Sequence, residues 1–425
     1  MVIWQIVIRL AHDLAMLSFY ILVAIIGPRL FYRHGAAMSQ SIEQISSQEE
    51  TQVIDAIDVW LRKEVAHQVK HFDHEDEYPH EIVAQMKDMG LFSLMYPIKY
   101  GGLGFSASSY TKVITKLSET WMSLAGVINT HMMLGQLIER FGTPEQQSYF
   151  LPRLTNAELH GALCLTEPDA GTDLQGIKTH AKRDGDRYVL NGSKMWVTNG
   201  MYGSLYAVLT KTDPSAQPAH RGMTMFLAEK DTGFNVDGKL KKLGYRGVES
   251  AALSFDDYSI SADRVLGGVE GKGLQHAMGG LELGRINVAA RAVGVARAAM
   301  DDAVKYAQER ETFGKPICEH QSIQIKLADM ATRVEASRLL VEQAADKYDK
   351  GERCDMEAGM AKLFASESAL ENATEAMRVH GGYGYSKEFD VERYYRDAPL
   401  MCIGEGTNEL QRLLIAKQLV KRSPI

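Results

Sequence analysis

The chain has 425 residues, more than one hydrophobic core usually holds, so two or three domains are expected. Its hydrophobic fraction of 45% and charged fraction of 24% are those of an ordinary globular protein, and a net charge of −7 gives no electrostatic reason to bind nucleic acid. Four scattered cysteines without a C-x-x-C pair argue against a disulfide framework or a zinc site, and there is no P-loop and no G-x-G-x-x-G.

Residues 1–48 form an N-terminal extension whose main feature is an apolar run from Leu14 to Ile26. The run is shorter than the roughly 20 residues that span a bilayer, so no stable membrane span is expected, although membrane association stays open. It also resembles the core of a signal segment, but everything downstream is typical of a cytosolic protein. The other interpretation is that Met38 is the true initiator and that the start has been assigned too far upstream. The extension is predicted to be non-essential.

Residues 49–160 are predicted to form an N-terminal helical domain. Apolar residues recur there at helical spacing, as in Val53 and Ile57 or Met133 and Leu137. The pair His71 and His74 lies on one turn among acidic residues. Because no further ligand spacing accompanies this pair, a solvated acidic face is favoured over a metal site, and no metal is predicted.

In residues 161–270 the apolar residues follow the two-residue spacing of strands, which predicts a middle β domain. Residues 188–190 and 194–197 flank Asn191-Gly192, which predicts a hairpin with its turn at that dipeptide. Short strands separated by loops predict a small antiparallel barrel or sandwich. The further strands are expected at residues 206–211, 224–229, 234–241 and 252–255.

Residues 271–425 return to long helical patterns and predict a C-terminal helical bundle, with helices at 274–311, 322–348, 356–379 and 409–421. The predicted fold class is therefore a multidomain α+β protein: helical domain, antiparallel β domain, helical bundle.

The segment Gly404-Glu405-Gly406 places a carboxylate between two glycines immediately before a helix. Such a position suits a general base, because glycine admits a sharp turn and a close substrate approach. Thr407 can cap the helix, and Glu409 is favourably placed in its first turn. Taken alone, the segment is more simply interpreted as an ordinary capped loop.

Five motifs, in order, resemble those of the acyl-CoA dehydrogenase flavoprotein family over about nine-tenths of the chain. They are CLTEPDAGTD (164–173), KMWVTNG (194–200), RETFGKP (310–316) with HQ (320–321), HGGYGY (380–385), and GEGTNE (404–409) with QR (411–412). The resemblance implies FAD as cofactor and a homo-oligomer, most often a homotetramer.

The resemblance assigns one set of FAD contacts to the middle domain. Trp196 would pack on the flavin ring, while Thr166 and Thr198 would bind its polar edge; without the resemblance, Trp196 would be a strand core residue and Thr166 a turn residue. Leu165 and Val197 lie beside them. Thr172 corresponds to a hydroxyl near the phosphates of both cofactor and substrate.

A second set of FAD contacts lies in the C-terminal domain, and three of its members, Arg310, Thr312 and Gln321, resemble residues that reach the FAD of a neighbouring subunit. This set comprises Arg310, Thr312, Phe313, Gln321, Arg378, Gly381, Gly382, Thr407 and Glu409. Arg310 would suit a pyrophosphate, although an ion pair with Glu309 or Glu311 is the alternative. Arg378 departs from the family, which usually carries Gln there, so it either makes a charged contact with FAD or points elsewhere.

The family reaction is α,β-dehydrogenation of an acyl-CoA thioester, and the resemblance makes Glu405 its base. Some members place the base instead at the position of Gly284, which has no carboxylate here. Glu282 should face about 200° away around the helix. The implied substrate contacts are Thr172, Arg285, Gly406 and Glu282, which either positions Arg285 or forms a surface ion pair with it.

The implied electron acceptor is an electron-transfer flavoprotein. An acyl-CoA oxidase that uses dioxygen and a non-catalytic flavin-bearing binding protein remain alternatives. A flavin monooxygenase or nitroalkane oxidase is disfavoured because it would normally lack this Glu. The acyl chain is not predicted, and the expected location is the bacterial cytoplasm, or the mitochondrial matrix in a eukaryote.

Overall fold

The structure is a computed structural model that describes residues 47–423. The apolar run and the proposed start at Met38 lie outside the described residues. Within residues 47–423, no helix is both long enough and apolar enough to cross a bilayer.

The described part of the chain begins with a helical layer built around one long buried helix. The helices are α1 (Ser47–Trp60), α2 (Val69–Glu75), α3 (His80–Asp88), α4 (Ala107–Phe141) and α5 (Pro144–Thr155). The hydroxyl of Ser106 accepts from the N–H of Ser109 and starts α4, while Thr143 and Gln146 form a capping box that starts α5. Trp121 interrupts α4 with extended backbone, and its side chain is fully buried.

Seven strands form one curled sheet in the middle of the chain. They are β1 (Gly161–Cys164), β2 (His180–Asp184), β3 (Arg187–Thr198), β4 (Leu205–Lys211), β5 (Met223–Glu229), β6 (Phe234–Lys239) and β7 (Ser250–Ser261). The order is β1-β4-β2-β3-β7-β6, with β5 on β4; β1 and β2 run parallel to β4, and the remaining pairs are antiparallel. Tyr188, Phe226, Phe234 and Phe255 fill the core inside the curl.

The predicted turn at Asn191-Gly192 is wrong. β3 runs straight through this dipeptide, and the chain reverses earlier, where Asp184 pairs with Arg187 across Gly185-Asp186. Gly192 lies at a register shift of β3 and has φ +142°, and a Cβ there would come within 2.5 Å of Thr179 Oγ1. Glycine therefore serves a close packing contact inside a bulged strand and not a hairpin turn.

The C-terminal part is helical, as predicted. It contains α6 (Gly273–Glu309), a short hairpin of β8 (Glu311–Thr312) and β9 (Lys315–Pro316), α7 (Gln321–Asp349), α8 (Asp355–His380), α9 (Val391–Ile403) and α10 (Asn408–Arg422). Buried alanines line the facing sides of α6 and α8, so the two helices pack closely. The sequence analysis missed α9, a short helix that contains Pro399. The predicted order of helical, β and helical regions is confirmed.

The predicted solvated face around His71 and His74 is wrong in part. Asp73 between them is fully buried and is hydrogen-bonded to Arg396, while His74 Nε2 lies 3.4 Å from Glu392 Oε1. Arg396 also binds Glu392, so a guanidinium already neutralises both carboxylates. His71 lies apart from this cluster, on the exposed side of α2.

Candidate active site

The Glu405 segment is a tight turn between α9 and α10. Glu405 has φ +55° and Gly406 has φ +86°, so two successive residues adopt left-handed backbone. A non-glycine residue seldom adopts this conformation unless its surroundings hold it there. Thr407 ends the turn as the N-cap of α10, where its Oγ1 accepts from the N–H of Leu410 at 3.4 Å.

A fully buried lysine holds this turn from beneath. Lys362 of α8 donates from Nζ to Gly406 O at 2.9 Å, to Cys402 O at 3.1 Å and to Asn408 Oδ1 at 2.7 Å. Burial lowers the pKa of Lys362 to about 8. The sequence analysis did not identify Lys362, although a lysine among the alanines of a buried helix was a detectable signal.

The Glu405 side chain projects from the turn towards α6. A Cβ built at Gly284 would lie 2.9 Å from Glu405 Oε2, so the missing side chain at 284 makes room for the carboxylate. Asn129 of α4 donates to Oε1 over 3.4 Å. Burial raises the pKa of Glu405, and the neighbouring Arg291 and Arg285 offset this only in part. The carboxylate is therefore more basic than an exposed one, as a general base requires.

Two arginines of α6 flank the carboxylate. Arg285 is half-buried, and burial lowers its pKa against the opposing effect of Glu405 and Glu282. Burial likewise raises the pKa of Glu282. Arg291, which the sequence analysis missed, is only 5% exposed; its Nε donates to Asn287 Oδ1 at 2.7 Å and its Nη1 to Tyr245 Oη at 3.4 Å.

The middle-domain residues predicted to contact a flavin come together on the rim of the sheet. The N–H of Met195 donates to Thr166 O at 2.9 Å, which fixes the Thr166 loop beside β3. Trp196 stands at the second register shift of β3 with φ +62°, and its indole is 55% exposed. Val197 differs from its neighbours because its side chain points into the β core, so only its backbone is available to a ligand.

A buried ion pair supports this rim. Lys194 Nζ donates to Glu167 Oε1 at 2.8 Å, and Glu167 also accepts from the N–H groups of Lys178 and Thr179. Burial alone would raise the pKa of Glu167, but Lys194 and the hydrogen bonds outweigh it and lower the pKa. The pair ties the loop that carries Leu165, Thr166 and Thr172 to the strand that carries Trp196.

Comparison with known proteins identifies the family. The models for the N-terminal, middle and C-terminal domains of acyl-CoA dehydrogenase match residues 47–158, 162–258 and 271–420. The chain belongs to the acyl-CoA dehydrogenase family.

Individual relatives agree with this family assignment. An acyl-CoA dehydrogenase of Bacillus subtilis (strain 168) is 40% identical over 376 residues, which cover 88% of this chain and 98% of the relative. The structure of butyryl-CoA dehydrogenase from Megasphaera elsdenii has a TM-score of 0.85 at 37% identity, covering 90% of this chain and all of that one. A structure reported with the electron transferring flavoprotein of Acidaminococcus fermentans has a TM-score of 0.85 at 35% identity, covering 89% and 100%.

Members of this family are FAD-dependent oxidoreductases, and the rim of the sheet fits the ring of that cofactor. A large indole is held out of the core there by left-handed backbone, beside the half-buried hydroxyls of Thr166 and Thr198. A planar apolar ring with a polar edge requires these two kinds of contact.

A cleft in the C-terminal domain fits the dinucleotide part of FAD. It encloses about 840 Å³ and is lined by Arg310, Thr312, Phe313, Gly381 and Gly382, among others. A Cβ at either glycine would meet nothing within 4 Å, and the Phe313 ring is 96% exposed. Within the described residues, Arg310 forms no ion pair, so the alternative interpretation of a pair with Glu309 or Glu311 is not supported.

The remaining predicted residues lie on the surface. Gln321 begins α7 and Thr172 lies on the exposed loop after Thr166, while Glu409 is exposed in the first turn of α10. Arg378 is hydrogen-bonded to Glu375, one turn earlier on α8. Glu375 also binds Lys326. In the single chain, Arg378 therefore points along its own helix.

Proposed function

We propose that this oxidoreductase removes one hydrogen from the α-carbon and one from the β-carbon of an acyl-CoA thioester, with Glu405 as the base. The observation that carries this is the carboxylate itself. A left-handed turn, three hydrogen bonds from Lys362 and the space at Gly284 fix it in a partly buried position where its pKa is raised. Such a carboxylate can take a weakly acidic proton that an exposed glutamate would leave in place.

The proposal also accounts for the charge that develops on the substrate. Removal of the α-proton pushes negative charge to the thioester oxygen, which needs a hydrogen-bond donor. The backbone N–H of Glu405 donates to no atom of residues 47–423, so it is available for this contact. FAD, when bound, supplies the acceptor for the hydride that leaves the β-carbon.

Glu405 is the one base proposed for this reaction. Gly284, the other position used in the family, offers no carboxylate, and Glu282 lies two residues earlier on α6, on a different side of the helix. Burial raises the pKa of Glu282, Arg140 and Arg285 offset this only in part, and Glu405 is not among the groups that shift it.

We assign the FAD contacts to two subunits. Trp196, Thr166, Thr198 and Leu165 would hold the ring, with Val197 contributing its backbone and Thr172 a phosphate contact. The cleft of a neighbouring subunit would hold the dinucleotide through Arg310, Thr312, Phe313, Gln321, Gly381 and Gly382. The exposed Phe313 ring and the open cleft support a homotetramer that buries both.

Glu405→Gln tests the base directly. The amide keeps the size of the carboxylate but takes no proton, so reduction of bound FAD by butyryl-CoA without oxygen should slow by roughly 10²- to 10⁴-fold. The oxidised FAD spectrum should be retained. Glu335→Gln, an exposed glutamate on α7, is the matched control. Bleaching of Glu405→Gln at the wild-type rate would remove Glu405 from the mechanism.

The electron acceptor is proposed from the related structure reported with an electron transferring flavoprotein. Reduced enzyme should pass electrons to an electron-transfer flavoprotein faster than it forms hydrogen peroxide in air. Peroxide as the main product would instead make the protein an acyl-CoA oxidase. No bleaching with any acyl-CoA would favour a non-catalytic flavoprotein.

A further inference from the structure

Arg291 is a buried cation whose hydrogen-bond partners include no acidic residue. Its side chain is 5% exposed, and both groups that accept from it, Asn287 and Tyr245, are neutral. Among the described residues it forms no ion pair, although burying a charge is costly unless an opposite charge compensates it. The carboxylate nearest in effect, Glu405, makes no direct ion pair with Arg291 and also interacts with Arg285, so a ligand anion can supply the compensating charge that Arg291 lacks.

The place of Arg291 on α6 aims it at the acyl site. It lies seven residues after Gly284, which is two turns, so both residues share one face of the helix about 10.5 Å apart. Side chains of a helix lean towards its N-terminus, and the contact of Arg291 Nε with Asn287 four residues earlier shows this direction. Arg291 also exerts the largest single charge effect on Glu405.

The guanidinium keeps hydrogen-bonding capacity for a ligand. Nε and Nη1 have the partners described above, whereas Nη2 donates to no atom of residues 47–423. Tyr245, the partner of Nη1, packs against Gly126 so closely that a Cβ at 126 would overlap its hydroxyl. Tyr245 is therefore locked in place, and Arg291 is held as a fixed donor.

The reaction makes the need for a counter-charge greater. When Glu405 takes the α-proton it becomes neutral, and Arg285 and Arg291 then lose their nearest anion. The far end of a simple fatty acyl chain carries no charge that could face Arg291. A carboxylate at the far end of the acyl group would accept a charge-assisted hydrogen bond from the guanidinium, the strongest contact that arginine makes.

We propose that Arg291 binds the distal carboxylate of a short dicarboxylic acyl-CoA and thereby selects the substrate of this enzyme. The proposal rests on the proposed function, since it places the acyl group between Glu405 and α6. The alternative is that Arg291 serves only as a distant counter-charge for Glu405, in which case acyl groups with and without a carboxylate are affected alike.

The test compares substrates that differ only in the distal carboxylate. FAD bleaching without oxygen is measured for glutaryl-CoA against pentanoyl-CoA, and for 2-methylsuccinyl-CoA against 2-methylbutanoyl-CoA. The wild-type enzyme should bleach faster with the dicarboxylic member of at least one pair, at concentrations below saturation. Faster bleaching with the uncharged member of both pairs overturns the proposal without any variant being needed.

Arg291→Gln then assigns the effect to the residue. The ratio of dicarboxylic to uncharged bleaching rates should fall at least 100-fold, and Arg291→Lys should restore part of it. An equal loss with both members would identify Arg291 as a counter-charge only and overturn the proposal. The FAD spectrum and thermal melting of each variant establish that it is folded. If no acyl-CoA of any kind bleaches the wild-type enzyme, it is the proposed dehydrogenation that fails.

Discussion

The Glu405 turn and the C-terminal cleft differ in how complete they are within one chain. Within residues 47–423 the Glu405 turn already has supports, since Lys362 of α8 bonds its backbone and Asn129 of α4 bonds its carboxylate. The cleft, in contrast, leaves Phe313 almost wholly exposed and has open space where a side chain at either glycine would lie.

This difference in completeness fits the proposed roles of the two regions, which are to position a base and to bind a cofactor. A base works only if it is held in position to within a fraction of an ångström, so its supports belong to its own fold. A cofactor cleft can be completed by the ligand and by a second subunit, because its groups gain their partners on assembly. Changes beneath the turn should therefore damage stability and activity together, whereas changes in the cleft should affect assembly and FAD retention alone.

The largest effect is expected from Lys362→Met. One buried and two partly buried acceptors would lose their donor, so the free energy of unfolding should fall by about 3 kcal/mol. The turn should also loosen, and because Glu405 is then held less precisely, FAD bleaching should slow at least tenfold. Chemical denaturation and stopped-flow bleaching measure the two effects. Lys350→Met, which removes an exposed lysine, is the control and should change neither; an equally stable Lys362→Met would show that the lysine does not hold the turn.

Glu405→Gln should raise stability while it slows catalysis strongly. Because the folded pKa of Glu405 is raised above 4.5, the folded chain binds more protons than the unfolded chain just above that pH, and stability falls as pH rises through the raised value. At pH 7 the variant lacks this cost and should melt at a higher temperature than the wild type. The difference should vanish below pH 4.5, and melting curves across pH measure it.

The control for this pH dependence has the opposite sign. Arg338 lowers the pKa of the exposed Glu335, so Glu335→Gln should not stabilise the chain at pH 7. If both variants raised the melting temperature equally, the gain would come from lost net charge and not from the burial of Glu405.

A smaller and more selective effect is expected from Phe313→Ala. The ring touches little in the single chain, so the free energy of unfolding of a subunit should change by no more than about 0.5 kcal/mol. FAD retention and the oligomer should both weaken, by roughly tenfold in FAD affinity or about 1.4 kcal/mol. Sedimentation and FAD titration measure these quantities. An unchanged oligomer with unchanged FAD affinity would remove Phe313 from the subunit interface.

The smallest effect is expected from Arg378→Gln, which introduces the residue usual in the family. Since Arg378 is exposed and pairs along its own helix, the free energy of unfolding should change by no more than about 0.5 kcal/mol. FAD affinity should stay within threefold. A larger loss of affinity would mean that Arg378 leaves Glu375 to contact FAD in the assembled enzyme.

The order of domains could be predicted from the sequence because long helical and short strand periods are local properties. The absence of a turn at Asn191-Gly192 could not be predicted from the sequence. Asn-Gly is typical of hairpin turns, but here the glycine is required by a bulge in β3 and by the close approach of Thr179. Val197 was predicted as a flavin contact from its place in a motif, but strand alternation turns its side chain inwards.

The supports of the candidate site were the hardest part to predict. Lys362 and Arg291 each lie in an alanine-rich helix, and apart from Asn287, which precedes Arg291 by one turn, their partners are distant in sequence. Only the packed structure shows that Lys362 bonds the Glu405 turn and that Arg291 has neutral partners. Glu405 itself was found because its two glycines form a local signal.

The most direct test of the central claim moves the base instead of removing it. In Glu405→Gly the carboxylate is lost, and adding Gly284→Glu places a new one on α6, where the Cβ points at the former carboxylate position. FAD bleaching by butyryl-CoA should nearly stop in the single variant and recover at least tenfold in the double variant. Bleaching of Glu405→Gly at the wild-type rate would contradict the account.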